Sequence, residues 1–175
     1  MKVAIVGHCM ASRQDAAVIA LEMRKLIEDP DTQEIWIPGL DGVAATALCF
    51  ALAFRAESNK TTPLVFTVFP GRYGERPPWS VGMPSPEERA RQANQIYELG
   101  GDMTSTWNHR DRTFAWELSI RACNEYVVGQ VAGAGQAIVF WNGSLLETKV
   151  ARAVEKAQAH GIPWLHVPVS GDEDE

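Results

Sequence analysis

The sequence predicts an α/β protein with a single Rossmann-like domain, in which helices cover both faces of a mostly parallel sheet of about five to six strands. Short apolar runs alternate along the chain with longer segments of helical periodicity, the order that produces parallel strands joined by right-handed crossovers. The runs Val3 to Val6 and Ala137 to Trp141 are continuously apolar. Such runs are typical of central strands that are buried on both faces.

The first half of the chain gives three strand and helix signals in order. After the first strand, a helical pattern extends from Asp15 to Glu28, and Pro30 ends it. The next predicted elements are a strand at Glu34–Ile37, an Ala-rich helix from Val43 to about Glu57 and a strand at Pro63–Phe69. The Ala-rich helix is apolar nearly all round, so we expect it to be buried.

The segment 70–107 breaks this alternation and is predicted to be a flap or insertion. It is rich in glycine and proline at first, and long irregular loops in compact domains are often functional. A helix is predicted to begin at Ser85-Pro86, with a capping serine and a first-turn proline, and to run to Leu99. Met103 to Trp107 is either a short strand or an extended loop.

The last part of the chain returns to the regular pattern. A helix is predicted from about Phe114 to Val131, followed by the strand that ends at Trp141. We expect Ser144 to cap a helix from Leu145 to Ala159, and a final strand from Trp164 to Val169 completes the domain at residues 1–170. Residues 171–175 form an acidic tail that we expect to be disordered.

Composition narrows the classes of function. The chain has 175 residues, enough for one domain with a sizeable core, and its net charge of −6 argues against sequence-independent binding to nucleic acid. The three cysteines form no CxxC pair, which indicates reduced thiols in a cytoplasmic protein. No apolar run approaches the ~20 residues of a membrane span, and the N-terminus has no signal-peptide layout.

Three strand ends are predicted to meet at the carboxyl edge of the sheet, where ligands of open α/β sheets bind. Each carries glycine or small polar residues and is followed by a helix N-terminus, so backbone N–H groups are available to an anion such as phosphate. The alternative is ordinary turn chemistry, which also uses glycine. The candidate residues of these three ends are Gly7, His8, Gly39, Asp41, Gly42, Asn142, Gly143 and Ser144.

Further polar side chains are candidates for the same site, each with a structural alternative. Ser12 and Arg13 could hold a phosphate or act as a helix cap and a solvated cation. Asp41 could bind a ribose hydroxyl or its own loop. His8 could contact the ligand or fill a turn. Arg121 lies beside Asn124 and Glu125 on the predicted helix because these spacings share one helix face.

Several common sites are absent from the sequence. There is no GxGxxG dinucleotide fingerprint after the first strand, no P-loop motif and no GxSxG nucleophile elbow. The four histidines show no metal-ligand spacing, so we expect neither a metal nor another cofactor. Any ligand is therefore expected to be held by loops and side chains of the sheet edge.

Four stretches of the chain resemble the SLOG superfamily, a Rossmann-like group that includes the LOG, DprA and YpsA/YspA-like proteins. They are Val3–His8, Pro38–Ala44, Arg121–Val128 with its Arg-x-x-Asn pattern, and Phe140–Thr148 with the following His160–Trp164. The resemblance implies binding of a nucleotide or nucleotide-like ligand, with Thr148 added to the ligand-binding residues. It also implies a homodimer or higher homo-oligomer.

The chain departs from this pattern at two residues of the stretch Phe140–Thr148. Asn142 stands where the superfamily commonly has aspartate, and Glu147 stands where a glycine is expected. The P-G-G-x-G-T-x-x-E motif of the LOG enzymes is absent, so their phosphoribohydrolase chemistry is not carried over.

Two functions compete. The chain could be a sensor or sequestering module that binds a nucleotide-derived molecule, or an N-glycosidase. Such a reaction needs a carboxylate near the sugar C1, and the candidates are Glu117, Glu125 and Glu147. A third possibility is a structural partner without a ligand. Glu147 could lie beside a weakly charged ligand, point outward into solvent, or act as the catalytic carboxylate.

Overall fold

A computed structural model describes residues 1–60, 62–69, 102–105 and 123–172. In these ranges the strands are β1 (Lys2–Gly7), β2 (Glu34–Pro38), β3 (Leu64–Phe69), β4 (Asp102–Ser105), β5 (Gly135–Trp141) and β6 (Trp164–Pro168). The helices are α1 (Arg13–Glu28), α2 (Val43–Glu57), α3, which is helical over residues 123–130, and α4 (Thr148–Ala159). The remaining residues of the predicted flap, the predicted helix from Ser85, Arg121 and residues 173–175 lie outside the described ranges.

The described strands form one sheet in the order β4-β3-β2-β1-β5-β6, and every neighbouring pair is parallel. This confirms the predicted fold class. Strands β2, β3 and β4 continue outward from one side of β1, whereas β5 and β6 lie on its other side. The direction of winding therefore reverses between β1 and β5, and in open α/β sheets ligands bind outside the carboxyl ends of the strands at such a point.

Alternating side chains of the central strands form two cores, one on each face of the sheet. Val3 and Ile5 of β1 pack with the buried faces of α1 and α2. Ala4 and Val6 point to the opposite face and pack with residues of α3 and α4, including Val127 and Val150. Period-two alternation explains this division, and full burial on both faces explains why the strand reads as a continuous apolar run.

One predicted helix boundary is wrong. Helix α4 begins at Thr148 with Glu147 as its N-cap, and Leu145–Glu147 belong to a loop. Ser144 therefore does not cap α4. Its hydroxyl instead accepts a hydrogen bond from Leu146 N (3.2 Å), and its amide donates to Asn142 Oδ1 (2.9 Å). These local side-chain hydrogen bonds stabilise a turn, and the helix begins only after that turn.

The predicted capping role of Ser12 is confirmed, and the first part of Met103–Trp107, left open between strand and loop, belongs to a strand. Ser12 caps α1 in a capping box with Asp15, since Asp15 N donates to Ser12 Oγ (3.0 Å) and Ser12 N to Asp15 Oδ2 (3.1 Å). Asp102–Ser105 is a strand, paired with β3 at the sheet edge. Among the described residues no helix is long and apolar enough to cross a membrane.

Candidate functional site

The candidate site is the crevice between the carboxyl ends of β1 and β5. Its two walls are the residues after Gly7 and the loop Asn142–Glu147, which we call the β5–α4 loop. The structure brings the predicted residues His8, Asn142, Gly143 and Ser144 together here because β1 and β5 are neighbours in register, with Gly7 opposite Phe140. Adjacent parallel strands thus deliver both loops to one place.

His8 joins the two walls. It is 3% exposed, and its Nε2 accepts a hydrogen bond from the backbone amide of Asn142 (2.9 Å). Because an amide nitrogen can only donate, the unprotonated nitrogen of the neutral ring is Nε2 and the proton is carried by Nδ1. His8 is therefore part of the frame of the crevice, and its exposed surface is too small for it to be a main ligand contact.

Glu147 faces this histidine. One carboxylate oxygen, Oε2, lies 3.6 Å from His8 Nδ1, and the Glu147 side chain is 30% exposed whereas that of His8 is 4% exposed. The carboxylate is thus turned toward the crevice and still reachable from solvent. Of the three arrangements considered for Glu147, a purely outward, solvated side chain does not describe this geometry.

The β5–α4 loop is shaped by its own side chains. Gly143 has φ of +83°, a conformation that side-chain-bearing residues rarely adopt, and a Cβ there would meet no atom within 4 Å. The indole Nε1 of Trp141 donates to Ser144 O (3.1 Å) and ties the loop to the strand end. Leu145 and Leu146 are 76% and 92% exposed, so an exposed apolar surface adjoins the crevice.

The loops after β1 and β2 are packed directly against each other. A Cβ on Gly42 would lie 2.2 Å from the carbonyl carbon of Cys9, and a Cβ on Gly7 would lie 2.5 Å from the Val43 side chain. Val43 N, in the first turn of α2, donates to His8 O (3.0 Å). Gly42 is therefore required by the close Cys9 backbone and Gly7 by the close Val43 side chain, and this helix terminus faces protein. Gly39 is buried in the same region, and Asp41 is half-buried.

The first turn of α1 is also covered. Residues 169–172, which we call the C-terminal strap, cross it and donate to Asp15 from Ser170 N (2.8 Å), Ser170 Oγ (2.8 Å) and Gly171 N (3.1 Å). Gly171 also lies over His8, because a Cβ at Gly171 would be 2.7 Å from the imidazole ring. The predicted acidic tail thus begins with residues bonded to the domain. Arg13 begins α1 and is exposed.

The strap changes the ionisation of Asp15. Burial raises the pKa of this carboxyl, but hydrogen bonds from Ser170, Ser12 and Gly171 favour the ionised form more strongly, and the net pKa lies below the ordinary value of 3.8. Asp15 is thus an anion held between the first turn of α1 and the strap. No second anion is needed to satisfy these donors.

The N-terminus of helix α4 is less covered by other parts of the chain than those of α1 and α2. Its N-cap residue, Glu147, makes no side-chain capping hydrogen bond, as is also true of Gly42 at α2, and its first intrahelical bond runs from Ala151 N to Glu147 O (3.0 Å). The amides of Thr148, Lys149 and Val150 precede that bond, and Thr148 is exposed. The N-terminus of α4 is therefore the one of these three that is reachable from the crevice.

In the described part of the chain, no hydrogen bond or ion pair joins the candidates on α3 to this group, and the candidate Glu117 lies outside the described ranges. Asn124 is 1% exposed, and its Oδ1 is buried without a hydrogen-bond partner. Glu125 is half-buried. An unpaired buried amide oxygen is costly and calls for an explanation, which a ligand donor could supply. Arg121, predicted beside them, lies outside the described ranges.

No group of histidine, cysteine or acidic side chains suited to a metal ion occurs among the described residues. The features that sequence reasoning missed are Asp15, Ser170 and Gly171. The spacing of Ser12 and Asp15 is a capping-box signal, but the bond from Ser170 to Asp15 joins residues 155 positions apart and has no sequence signature.

Comparison with known proteins identifies the fold. The chain superposes on the X-ray structure of DNA processing protein A (DprA) from Streptococcus pneumoniae with a TM-score of 0.60 and 19% sequence identity. The match covers 97% of this chain and 50% of that chain, so this chain spans about half the length of its structural neighbour. No family model matches the chain, and no curated protein matches it significantly. The likeness establishes a common α/β fold.

Proposed function

We propose that this protein binds a nucleotide or a nucleotide-derived small molecule in the crevice between β1 and β5, as a sensor or sequestering module. The observation that carries the proposal is the accessible N-terminus of α4 beside the exposed residues Asn142 and Gly143 at the winding reversal of the sheet. Unpaired amides at a helix N-terminus attract polar or anionic ligand groups. The shared fold with DprA and the sequence resemblance to the SLOG superfamily support membership in that group and, with it, this class of ligand.

The proposed contacts fall into two groups. Direct contacts come from Asn142, Gly143, Ser144 and Thr148, which are exposed or half-buried on the β5–α4 loop and the first turn of α4. Less exposed residues instead shape the floor of the site: His8 and Gly39, which are buried, and Gly7, Ser12 and Gly42, which are half-buried. Arg13, Asp41, Arg121 and Asn124 are proposed as further contacts to a ligand that extends beyond the crevice.

A small molecule is a better candidate than a nucleic acid chain. The structural neighbour is described as a DNA processing protein, which raises the possibility of a nucleic acid ligand. This chain, however, has a net charge of −6, and a carboxylate faces the crevice. Both features oppose binding to a phosphate backbone. We further propose that the protein is a homo-oligomer, which light scattering in solution would test.

A thermal-shift assay with a panel of nucleosides and nucleotides tests the proposal. A ligand present at about 100 times its Kd stabilises the fold by about 2.7 kcal/mol, and a chain of this size then melts about 5–10 °C higher. Ser144→Trp should abolish the shift by filling the crevice. Ala132→Trp, at an exposed position before β5, is the matched control and should retain it. A panel without any shift contradicts the proposal.

One observation favours a second candidate function, hydrolysis or transfer at an N-glycosidic bond. A carboxylate that faces a ligand crevice could stabilise an oxocarbenium-like transition state, and Glu147 has this position. Glu125 is the other carboxylate of this hypothesis. Product analysis distinguishes the two functions, because an enzyme releases free base from the nucleosides that it binds. Release should be lost in Glu147→Gln or in Glu125→Gln, whereas a sensor binds without turnover.

A further inference from the structure

We propose that Glu147 determines which part of the ligand enters the crevice: its carboxylate accepts hydrogen bonds from vicinal sugar hydroxyls and excludes phosphate from this position. This inference rests on the proposed function, because it assigns the ligand chemistry of the same crevice. It makes Glu147 a specificity-determining residue and His8 a positioning residue behind it.

The imidazole ring of His8 is fixed in its tautomer and its orientation. Its Nε2 accepts from Asn142 N at 2.9 Å, so the neutral ring presents Nδ1–H on the side of Glu147. The ring cannot turn away, since it is 3% exposed and Gly171 lies against it. A buried N–H group whose ring is fixed in place therefore lies 3.6 Å from the carboxylate.

The carboxylate oxygens of Glu147 can accept hydrogen bonds from a ligand. The 3.6 Å separation from Nδ1 is longer than a hydrogen bond, and the Glu147 side chain is 30% exposed. An ionised carboxylate has about four lone-pair sites and can only accept. A ligand that displaces water from these accessible oxygens must replace the lost hydrogen bonds with its own donors, and two adjacent hydroxyls of a ribose are such donors.

Glu147 also excludes phosphate from the position beside it. Glu147 is the N-cap residue of α4, so its negative charge offsets part of the positive end of the helix dipole, and the first-turn amides then favour neutral oxygens of the ligand over phosphate. A phosphate within hydrogen-bond distance of Glu147 would lie next to a like charge that solvent screens only in part. Any phosphate of the ligand must therefore lie farther along the β5–α4 loop, away from Glu147.

Calorimetric titration with ribonucleosides and their 2′-deoxy and 2′,3′-dideoxy analogues, for each of the four common bases, tests the inference. The wild type should bind the ribonucleoside at least about tenfold more tightly than the dideoxy analogue, as expected when hydrogen bonds to a charged acceptor are lost. In Glu147→Ala the ratio should fall to within about twofold, by weaker binding of the ribonucleoside only. Glu147→Gln should weaken the preference less, because the amide keeps one acceptor.

The matched control is Glu155→Gln, an exposed carboxylate two turns farther along α4, which should leave the ratio unchanged. Inorganic phosphate supplies a second readout, since Glu147→Gln should bind it more tightly than the wild type. Equal binding of ribonucleoside and dideoxy analogue by the wild type, or an unchanged ratio in Glu147→Ala, overturns the inference while nucleoside binding itself persists. If no nucleoside binds, the proposed function fails and the inference fails with it.

Discussion

The backbone amide of Asn142 donates a hydrogen bond to Nε2 of His8 at 2.9 Å, and this bond ties the end of β5 to the end of β1. The two residues are 134 positions apart in the chain. A buried imidazole thus serves as an acceptor for a loop amide, and the same ring directs its other nitrogen toward Glu147. The shape of the crevice and the orientation of its carboxylate depend on this one side chain.

Replacing His8 should destabilise the fold through that amide. His8→Phe keeps the aromatic volume but removes the acceptor, which leaves Asn142 N unsatisfied and costs about 1–3 kcal/mol in the free energy of unfolding. His8→Gln keeps an acceptor oxygen at a similar reach and should cost less. Urea denaturation measures both, and equal losses for the two variants would show that the acceptor is unimportant.

The acid stability of the protein should depend on Asp15. Its folded-state pKa lies below 3.8, so the folded structure stabilises the ionised form of Asp15 more than the unfolded chain does. The resulting stability is fully present well above pH 3.8 and is lost as the pH falls through the lower, folded value. Asp15→Asn should therefore cost about 2 kcal/mol at pH 7, and the difference from wild type should shrink below pH 4.

Denaturation at pH 7, 5, 4 and 3 checks this dependence. The control is Asp31→Asn, an exposed carboxylate before β2, which should change the stability little at any of these pH values. A difference between wild type and Asp15→Asn that is the same at pH 7 and pH 3 would contradict the linkage between the strap and the ionised carboxylate.

The contact between the loops after β1 and β2 makes Gly42 irreplaceable. Gly42 and Gly133 have nearly the same φ, +72° and +73°, but a Cβ would collide with the Cys9 backbone at Gly42 and meet nothing within 4 Å at Gly133. Gly133→Ala should cost about 1–2 kcal/mol for the backbone conformation alone. Gly42→Ala should cost more and shift the amide resonances of residues 9 and 10. Equal losses would mean that the loops can separate freely.

Asn142 should hold the C-terminal strap as well as the loop. Its Nδ2 donates to Ser170 O at 3.4 Å, whereas its Oδ1 accepts from Ser144 N. Asn142→Asp replaces the donor with a charged oxygen that repels Ser170 O and keeps the acceptor for Ser144 N, so hydrogen exchange at the Ser170 and Gly171 amides should quicken by about two- to fivefold. The Ser144 amide is the internal control and should be unaffected. Faster exchange at Ser144 alone would place the role of Asn142 within its own loop.

The strands and helices of this chain were largely readable because burial on both faces produces unbroken apolar runs, as in Val3 to Val6. The start of α4 was misread for a related reason. Leu145 and Leu146 extend the apolar pattern of the helix, but they are exposed residues of a turn that Asn142 and Ser144 stabilise. Local hydrogen bonds of polar side chains can override periodicity, and a pattern of apolar residues does not reveal them.

The location of the site could be predicted from the sequence, but most of its hydrogen bonds could not. Strand order brings the ends of β1 and β5 together, so His8 and Asn142 could be expected at one edge. That His8 is buried and bonded to a backbone amide depends on the strap, whose bond from Ser170 to Asp15 joins distant parts of the chain. A single long-range pair leaves no periodicity or spacing in the sequence.

The most direct measurement is an NMR titration of the labelled protein with the nucleoside or nucleotide that gives the largest thermal shift. Binding in the crevice predicts that the amide resonances of Gly143, Ser144 and Thr148 move with a common Kd. Those of Gly133 and Gly161, in the turns before β5 and β6 at the opposite edge of the sheet, should stay in place. Shifts centred on Gly133 and Gly161, with the β5–α4 loop unchanged, would contradict a ligand site at the carboxyl edge.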